Sequence, residues 1–276
     1  MAIGIPETLT AETSGKYIIS IRLRPDGYSF SGYDQQSERG SFFCSDIPFV
    51  PGKPFFDSFK ESVFANDCLT YPYKEVRFVF TTLQYTLTPD VFFDKEKGSV
   101  LHQFNYAETA GRILDNSLPE NKSHLLFDID EELYEFCCRS FFKPQFIHYA
   151  APLLEFWKRQ SEHLLYKQMY VQLDDQHLLI SCFNRGKLLF SNSFPVARSQ
   201  SIPYYILYVW KQLDLDALRD NLWLSGELRT DNLRVEQLRK FVYHVNPIEI
   251  PSEAYLMGGD VISAPLDLIA LFLCES

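Results

Sequence analysis

Hydrophobic and polar positions along this chain fall into short strands and amphipathic helices, in an order that occurs twice. Residues 16–24 (Lys-Tyr-Ile-Ile-Ser-Ile-Arg-Leu-Arg) predict a strand, Pro25-Asp26-Gly27 a turn, and residues 28–33 the returning strand of a hairpin. A polar loop with Gly40 leads to a third strand at 41–44. Pro54 suits the first turn of a helix that runs to about Leu69, and residues 75–81 predict a fourth strand. In the second half, strands are predicted at 169–174, 177–183 and 187–194, with a turn at Asn184-Arg185-Gly186 and a stop at Pro195. A helix from about Ser201 to Leu213 and a strand at 221–226 follow. Residues 17–81 and 168–226 therefore both read strand, strand, strand, helix, strand, an internal repeat of pattern with almost no residue identity.

Between and after these repeats the pattern continues in alternation. The apolar stretch 83–106, with Pro89 and Gly98, predicts short strands around a loop, and the polar stretch 107–122 a connection or excursion. Residues 123–129 predict a strand. Asp130 is placed to cap a helix over 131–141 whose first turn carries Glu131 and Glu132. A strand at 145–149 precedes an amphipathic helix at 152–165 with Leu153, Phe156, Trp157 and Leu164 on one side. The second half closes with a helix at 233–242, a strand at 244–250, a loop at 251–264 containing Gly258-Gly259, and a helix opened by Pro265 through Phe272. The whole is an α/β chain. We divide it into a frayed segment 1–15, a first lobe 16–165 and a second lobe 166–276.

Composition narrows the chemistry. Hydrophobic residues make up 46% of the 276 and charged residues 22%, which is ample for a soluble core. A net charge of −10 disfavours a nucleic-acid partner, since a phosphate backbone attracts Lys and Arg. The tightest basic grouping, 229–239, is interleaved with Asp231 and Glu236 and reads as a solvated helix face. The six cysteines form no CxxC pair, which argues against a zinc ribbon; Cys137-Cys138 reads as buried thiols in a reducing compartment, or as a vicinal redox pair. The N-terminus has no basic or apolar leader region, and the late apolar run 261–274 is broken by Pro265 and Asp267 and is too short to span a bilayer. A cytoplasmic protein without a transmembrane segment is expected.

A three-strand meander followed by helix, strand, helix, strand, helix, used twice, resembles the actin-like ATPase (ribonuclease H-like) superfamily. Residues 170–180, 184–187, 222–227 and 264–270 carry the resemblance, and the second half is similar to pilus-assembly actin-like proteins. The chain is also identified as a member of a family of uncharacterised bacterial proteins with this fold. The resemblance implies two lobes, each with a mixed sheet, around a cleft. It also implies that each half begins with a strand ending in Asp-x-Gly, the carboxylate holding magnesium-bound water and the glycine approaching phosphate. Here those positions fall on Arg22 and Arg24 in the first half and on Gln172 and Asp174 in the second. A cationic Arg22 does not ligate magnesium, neutral Gln172 is a poor substitute for a carboxylate, and Asp174 brings negative charge toward phosphate. Ser225-Gly226 stands where the superfamily has a turn against adenosine, with Glu227 replacing a second glycine.

Arg22, Arg24, Gln172, Asp174, Ser225 and Gly226 are therefore candidates for a vestigial cleft, with no catalytic residue, no metal ligand and no cofactor expected. The first functional reading is a non-catalytic scaffold or interaction protein for an unknown protein partner, with homo-oligomerisation open. Residues 42–59 and 83–122 are candidate contact regions, and removal of 107–122 is expected to leave folding intact. The alternative is a divergent ATP-binding protein or ATPase using magnesium; a sugar or metabolite kinase relic is a weaker third.

Other chemistry is sparse. The six histidines form no HxxxH or HxH pair. The acidic cluster Asp128, Asp130, Glu131 and Glu132 is explained by helix capping and the helix dipole. Asp174-Asp175 reads as a solvent-facing hairpin end. No GxSxG, GxxxxGK[ST] or GxGxxG is present.

Overall fold

The computed structural model describes residues 4–34, 36–37, 40–174, 177–196, 201–229, 231–256 and 258–274. The two repeats become two five-stranded sheets of identical topology. In the first half, β1 (Tyr17–Arg24), β2 (Gly27–Asp34) and β3 (Phe43–Pro48) form an antiparallel meander, followed by α1 (Phe55–Ala65) and β4 (Glu75–Phe80). Next come β5 (Tyr85–Pro89), α2 (Gly98–Asn105), β6 (Gly111–Leu118), β7 (Ser123–Asp130), α3 (Glu131–Ser140), β8 (Gln145–His148) and α4 (Ala150–Ser161). The second half runs β9 (Lys167–Asp174), β10 (His177–Asn184), β11 (Lys187–Pro195), α5 (Ile202–Gln212), β12 (Asn221–Gly226), α6 (Asn232–Arg239), β13 (His244–Pro247), α7 (Ser252–Tyr255) and α8 (Leu266–Leu273).

The strand orders are β3-β2-β1-β4-β8 and β11-β10-β9-β12-β13. In each, the first strand pairs antiparallel with its hairpin partner and parallel with the strand after the helix. Arg22 lies opposite Val79 of β4, and Gln172 opposite Ser225 of β12, so Arg22 and Gln172 are equivalent positions of the two repeats. The central strands β1 and β9 are buried on both faces, which is why they read as nearly continuous apolar runs. Their odd and even positions differ all the same. Ile19, Ile21 and Leu23 enter the first core, whereas Ile18 joins a separate cluster with Tyr33, Phe42, Ile250 and Ile269; the even-numbered face also holds Arg22.

Local chemistry accounts for several boundaries. Arg185 and Gly186 both have positive φ, 50° and 74°, and close the β10–β11 hairpin as a two-residue turn whose twist matches that of the strands. Asp130 caps α3, its Oδ1 accepting from the Leu133 N–H at 2.9 Å. Pro54 is the residue before α1, and that helix stops at Ala65, short of the expected end, before a 3-10 turn at Asp67–Thr70.

Four expectations are corrected. The stretch 83–106 holds one strand and then a helix, α2, beginning at Gly98. The polar stretch 107–122 is not an excursion: β6 pairs along its whole length with β7 in a three-stranded sheet of order β5-β7-β6. Its side chains are mostly half-exposed or exposed, so it lacks the apolar alternation that marks a strand, and deleting it would strip β7 of a partner. The third strand lies at Phe43–Pro48 rather than 41–44. The loop 251–264 contains α7 and a 3-10 turn at Gly259–Ile262.

The halves are joined by their last helices. α4 is buried on nearly every side and packs on α8, which is apolar all round except for Asp267. Trp157 of α4 stacks on Tyr170 of β9, centroids 5.3 Å apart and planes within 8°. Leu266, Leu268, Ala270 and Leu271 of α8 belong to the same core as the first sheet, as does Leu9 near the N-terminus. Tyr85 and Tyr149 hydrogen-bond Ser191 and Ser193 of β11 at 2.7 and 3.0 Å. Among the described residues, no helix is long and apolar enough to cross a membrane.

Candidate functional site

The C-terminal ends of β1 and β9 meet through charge. Arg22, only 1% exposed, donates through Nη2 to the Asp174 carboxylate and through Nε to Asp267 Oδ2 at 2.6 Å. Asp267 is wholly buried and Asp174 is 23% exposed. The triad thus links the first half, the second half and the final helix with one guanidinium and two carboxylates. Such groups are tolerated away from water only when paired, because desolvating an ion costs several kcal/mol. Asp174 is therefore not the solvent-facing hairpin residue expected; its neighbour Asp175 lies outside the described residues.

The second half supplies the rest of the cleft. Gln172, Asp174, Ser225 and Gly226 line a cavity of about 480 Å³ whose apolar wall includes Ile248, Ile250, Leu266 and Ile269. Gln172 is 3% exposed, and its Oε1 has no hydrogen-bond partner among the described residues. The Ser225 hydroxyl is engaged within the sheet, donating to Val171 O at 2.9 Å. Gly226 has φ +64°, and a Cβ there would lie 1.9 Å from Leu173 O. Both the left-handed backbone and the contact exclude a side chain. We expect Gly226→Ala to destabilise the protein by at least about 2 kcal/mol, read as a lower urea midpoint with an unchanged slope; an unaltered midpoint would contradict this backbone path.

Of the six residues singled out from sequence, the structure brings Gln172, Asp174, Ser225 and Gly226 together and joins Arg22 to them. Arg24 turns away. Its guanidinium takes Asp46 Oδ1 and Oδ2 of β3 at 2.6 and 3.1 Å, and Ser29 Oγ at 3.2 Å. Burial alone would raise the Asp46 carboxyl, but the bonds to Arg24 and Ser29 hold it below the ordinary range. Asp267 is the residue that the sequence reading missed, having treated it only as an interruption of an apolar run. A lone acid on an otherwise apolar helix is itself a signal, because it must find a buried partner.

The remaining titratable groups serve the fold. Asp128 is not part of the helix start: it is buried, accepts from the Ala110 N–H and faces His102 Nε2 at 3.5 Å. Burial lowers the pKa of His148 to about 3, so its ring is neutral at physiological pH. Nε2 then donates to Thr82 O at 3.0 Å, and Nδ1 accepts from Ala150 N–H at 3.3 Å. All six cysteines are free, and burial pushes Cys44 and Cys182 up to about 12, leaving no thiolate there at neutral pH. Cys137 is buried and Cys138 exposed. Among the described residues, no group of three or more His, Cys, Asp and Glu side chains is placed to hold a metal ion.

Comparison with known proteins places this geometry. A family described as "Protein of unknown function (DUF3822)" matches residues 6–245. A crystal structure from Bacteroides thetaiotaomicron VPI-5482, described as a protein with actin-like ATPase fold and unknown function, superposes with a TM-score of 0.84 at 28% identity, covering 99% of this chain and 100% of that one. The PilM-PilN type IV pilus biogenesis complex matches with a TM-score of 0.54 at 10% identity, over 92% of this chain and 94% of that one. No curated protein matches the chain in sequence. The expected fold, a duplicated actin-like architecture with mixed sheets, is the fold of these neighbours.

Proposed function

The chain belongs to the DUF3822 family of proteins of unknown function, and from the chemistry of its cleft we propose that it is a non-catalytic actin-like protein, a scaffold for a partner protein. One observation carries this reading: Arg22, at the position where the resemblance puts the magnesium-binding carboxylate, is held by Asp174 and Asp267. The cation and the anions of the cleft are thus both supplied by the protein. A guanidinium cannot enter the oxygen shell of magnesium. A triphosphate placed there would meet the partly exposed Asp174 carboxylate, and like charges at about 4 Å repel by about 4 kcal/mol at an effective dielectric near 20. Asp174 also stands where the superfamily brings glycine against phosphate. The domain organisation that goes with this reading is a first lobe over 16–165 and a second over 166–276. Free thiols, two of the six buried, suit a cytoplasmic setting.

The neighbouring PilM occurs in a type IV pilus biogenesis complex with PilN, which makes partner binding a reasonable use for the fold. The second reading, a divergent ATP-binding protein, is favoured by one feature only: the cavity beside Ser225 and Gly226, with the buried Gln172 Oε1 directed to no partner among the described residues.

Calorimetric titration with ATP, with and without magnesium, separates the two. We expect no heat and no shift in melting temperature at millimolar ATP. A ligand present at a hundred times its Kd would stabilise the protein by about 2.7 kcal/mol, so a micromolar site could not escape detection. Magnesium-dependent binding in that range would sink the scaffold reading.

A further inference from the structure

The first lobe has a second cavity, of about 300 Å³, at the ends of β1, β4 and β7 and the starts of α1 and α3. Leu23, Phe55, Phe80, Ile129 and Leu133 form its apolar wall. The polar residues beside them are already bonded within the protein. Arg24 holds Asp46, Thr81 Oγ1 donates to Leu23 O at 2.9 Å, and Asp128 accepts from Ala110 N–H; Asp130 caps α3. The exception is Thr82, whose buried Oγ1 has no hydrogen-bond partner among the described residues. A polar metabolite would therefore find one free group and a wall that returns nothing for its desolvation. The volume is at the low end of the roughly 300–1,000 Å³ of small-molecule sites, a size suited to one or two apolar side chains.

Charge around the mouth selects the rest of the occupant. Asp130 is an exposed lining residue, and Asp26 and Glu132 are exposed next to lining residues. The guanidiniums nearby are already bonded, Arg24 to Asp46 and Asp26 and Arg112 to Glu131. We propose that this cavity docks a segment of a partner protein that inserts a leucine, methionine or phenylalanine flanked by lysine or arginine. The apolar anchor fills the wall, a backbone carbonyl of the segment takes the Thr82 hydroxyl, and the acidic rim orients the basic flanks. The proposal rests on the partner-binding reading, but ATP titration tests that reading without touching this cavity, so the two can fail separately.

The test is selection of displayed random short peptides on the wild-type protein, followed by affinity measurements on variants. Ala110, exposed at the cavity, is changed to tryptophan to fill it. Asp130→Asn removes a rim charge but keeps a capping side chain. Enriched peptides should carry an apolar residue with basic neighbours, lose at least about tenfold in affinity on Ala110→Trp, and bind more weakly to Asp130→Asn and at high salt. Should Ala110→Trp misfold by circular dichroism, Thr82→Val serves in its place, with a smaller loss expected. No enrichment, acidic or wholly polar winners, or binding indifferent to these variants would overturn the proposal. So would sedimentation showing self-association of the wild type that Ala110→Trp abolishes, since the occupant would then be a second copy.

Discussion

Arg22→Met is expected to lower folding stability by about 3–5 kcal/mol, because it leaves the carboxylates that the guanidinium neutralises without their partner. Asp267 bears the larger share. It is wholly buried, its Oδ2 receives Arg22 Nε at 2.6 Å, and its Oδ1 has no hydrogen-bond partner among the described residues. Asp174, partly exposed, can recover some hydration. The loss should appear as a fall in the urea midpoint, with the far-ultraviolet spectrum of the folded state retained. Replacing the ions together is a different experiment. A well-packed apolar substitute for a buried ion pair is often neutral or stabilising, so Arg22→Met combined with Asp267→Leu should regain most of what the single change loses. A single variant within about 1 kcal/mol of wild type would mean that the triad is not the clasp described, and the case for an occupied cleft would fall with it.

Trp157→Ala should cost about as much, about 3–5 kcal/mol, for an unrelated reason. The indole is fully buried on α4, in the core of the first lobe, and lies flat on Tyr170 of β9. Its Nε1 makes no hydrogen bond among the described residues, so the loss is almost wholly apolar contact and the cavity left behind. Trp157→Phe should therefore lose far less, keeping the stack on Tyr170. For a chain of this size the alanine variant should melt on the order of 10 °C lower. Scanning calorimetry would also show whether the two halves unfold together. If Trp157 couples them, the alanine variant should separate the transition into two; one unshifted transition would contradict the packing.

The repeat was legible because it is local. Period-two runs, the Asn184-Arg185-Gly186 turn and the cap at Asp130 each depend on neighbouring residues, and each is where the pattern puts it. The same periodicity equated Arg22 with Gln172 and Arg24 with Asp174, and the registers of β1 with β4 and β9 with β12 agree for the first pair. Strand β6 was hidden because its stabilisation is a ladder with β7, while its side chains remain largely in contact with water. Helix α2 was hidden within an apolar stretch whose Gly98 reads as a loop breaker but begins the helix.

The sequence by itself determined the duplicated α/β pattern and the identity of the residues at the strand ends where chemistry would be expected. Only the tertiary structure decided what those residues do. Arg22 and Asp174 are 152 positions apart, and Arg22 and Asp267 are 245 apart. No periodicity encodes such a pairing, because it arises when α8 packs on α4 and delivers one carboxylate to Arg22 of β1. Burial then makes pairing obligatory: an arginine and two aspartates that would be unremarkable in water become, in a desolvated cleft, the bond between its two sides.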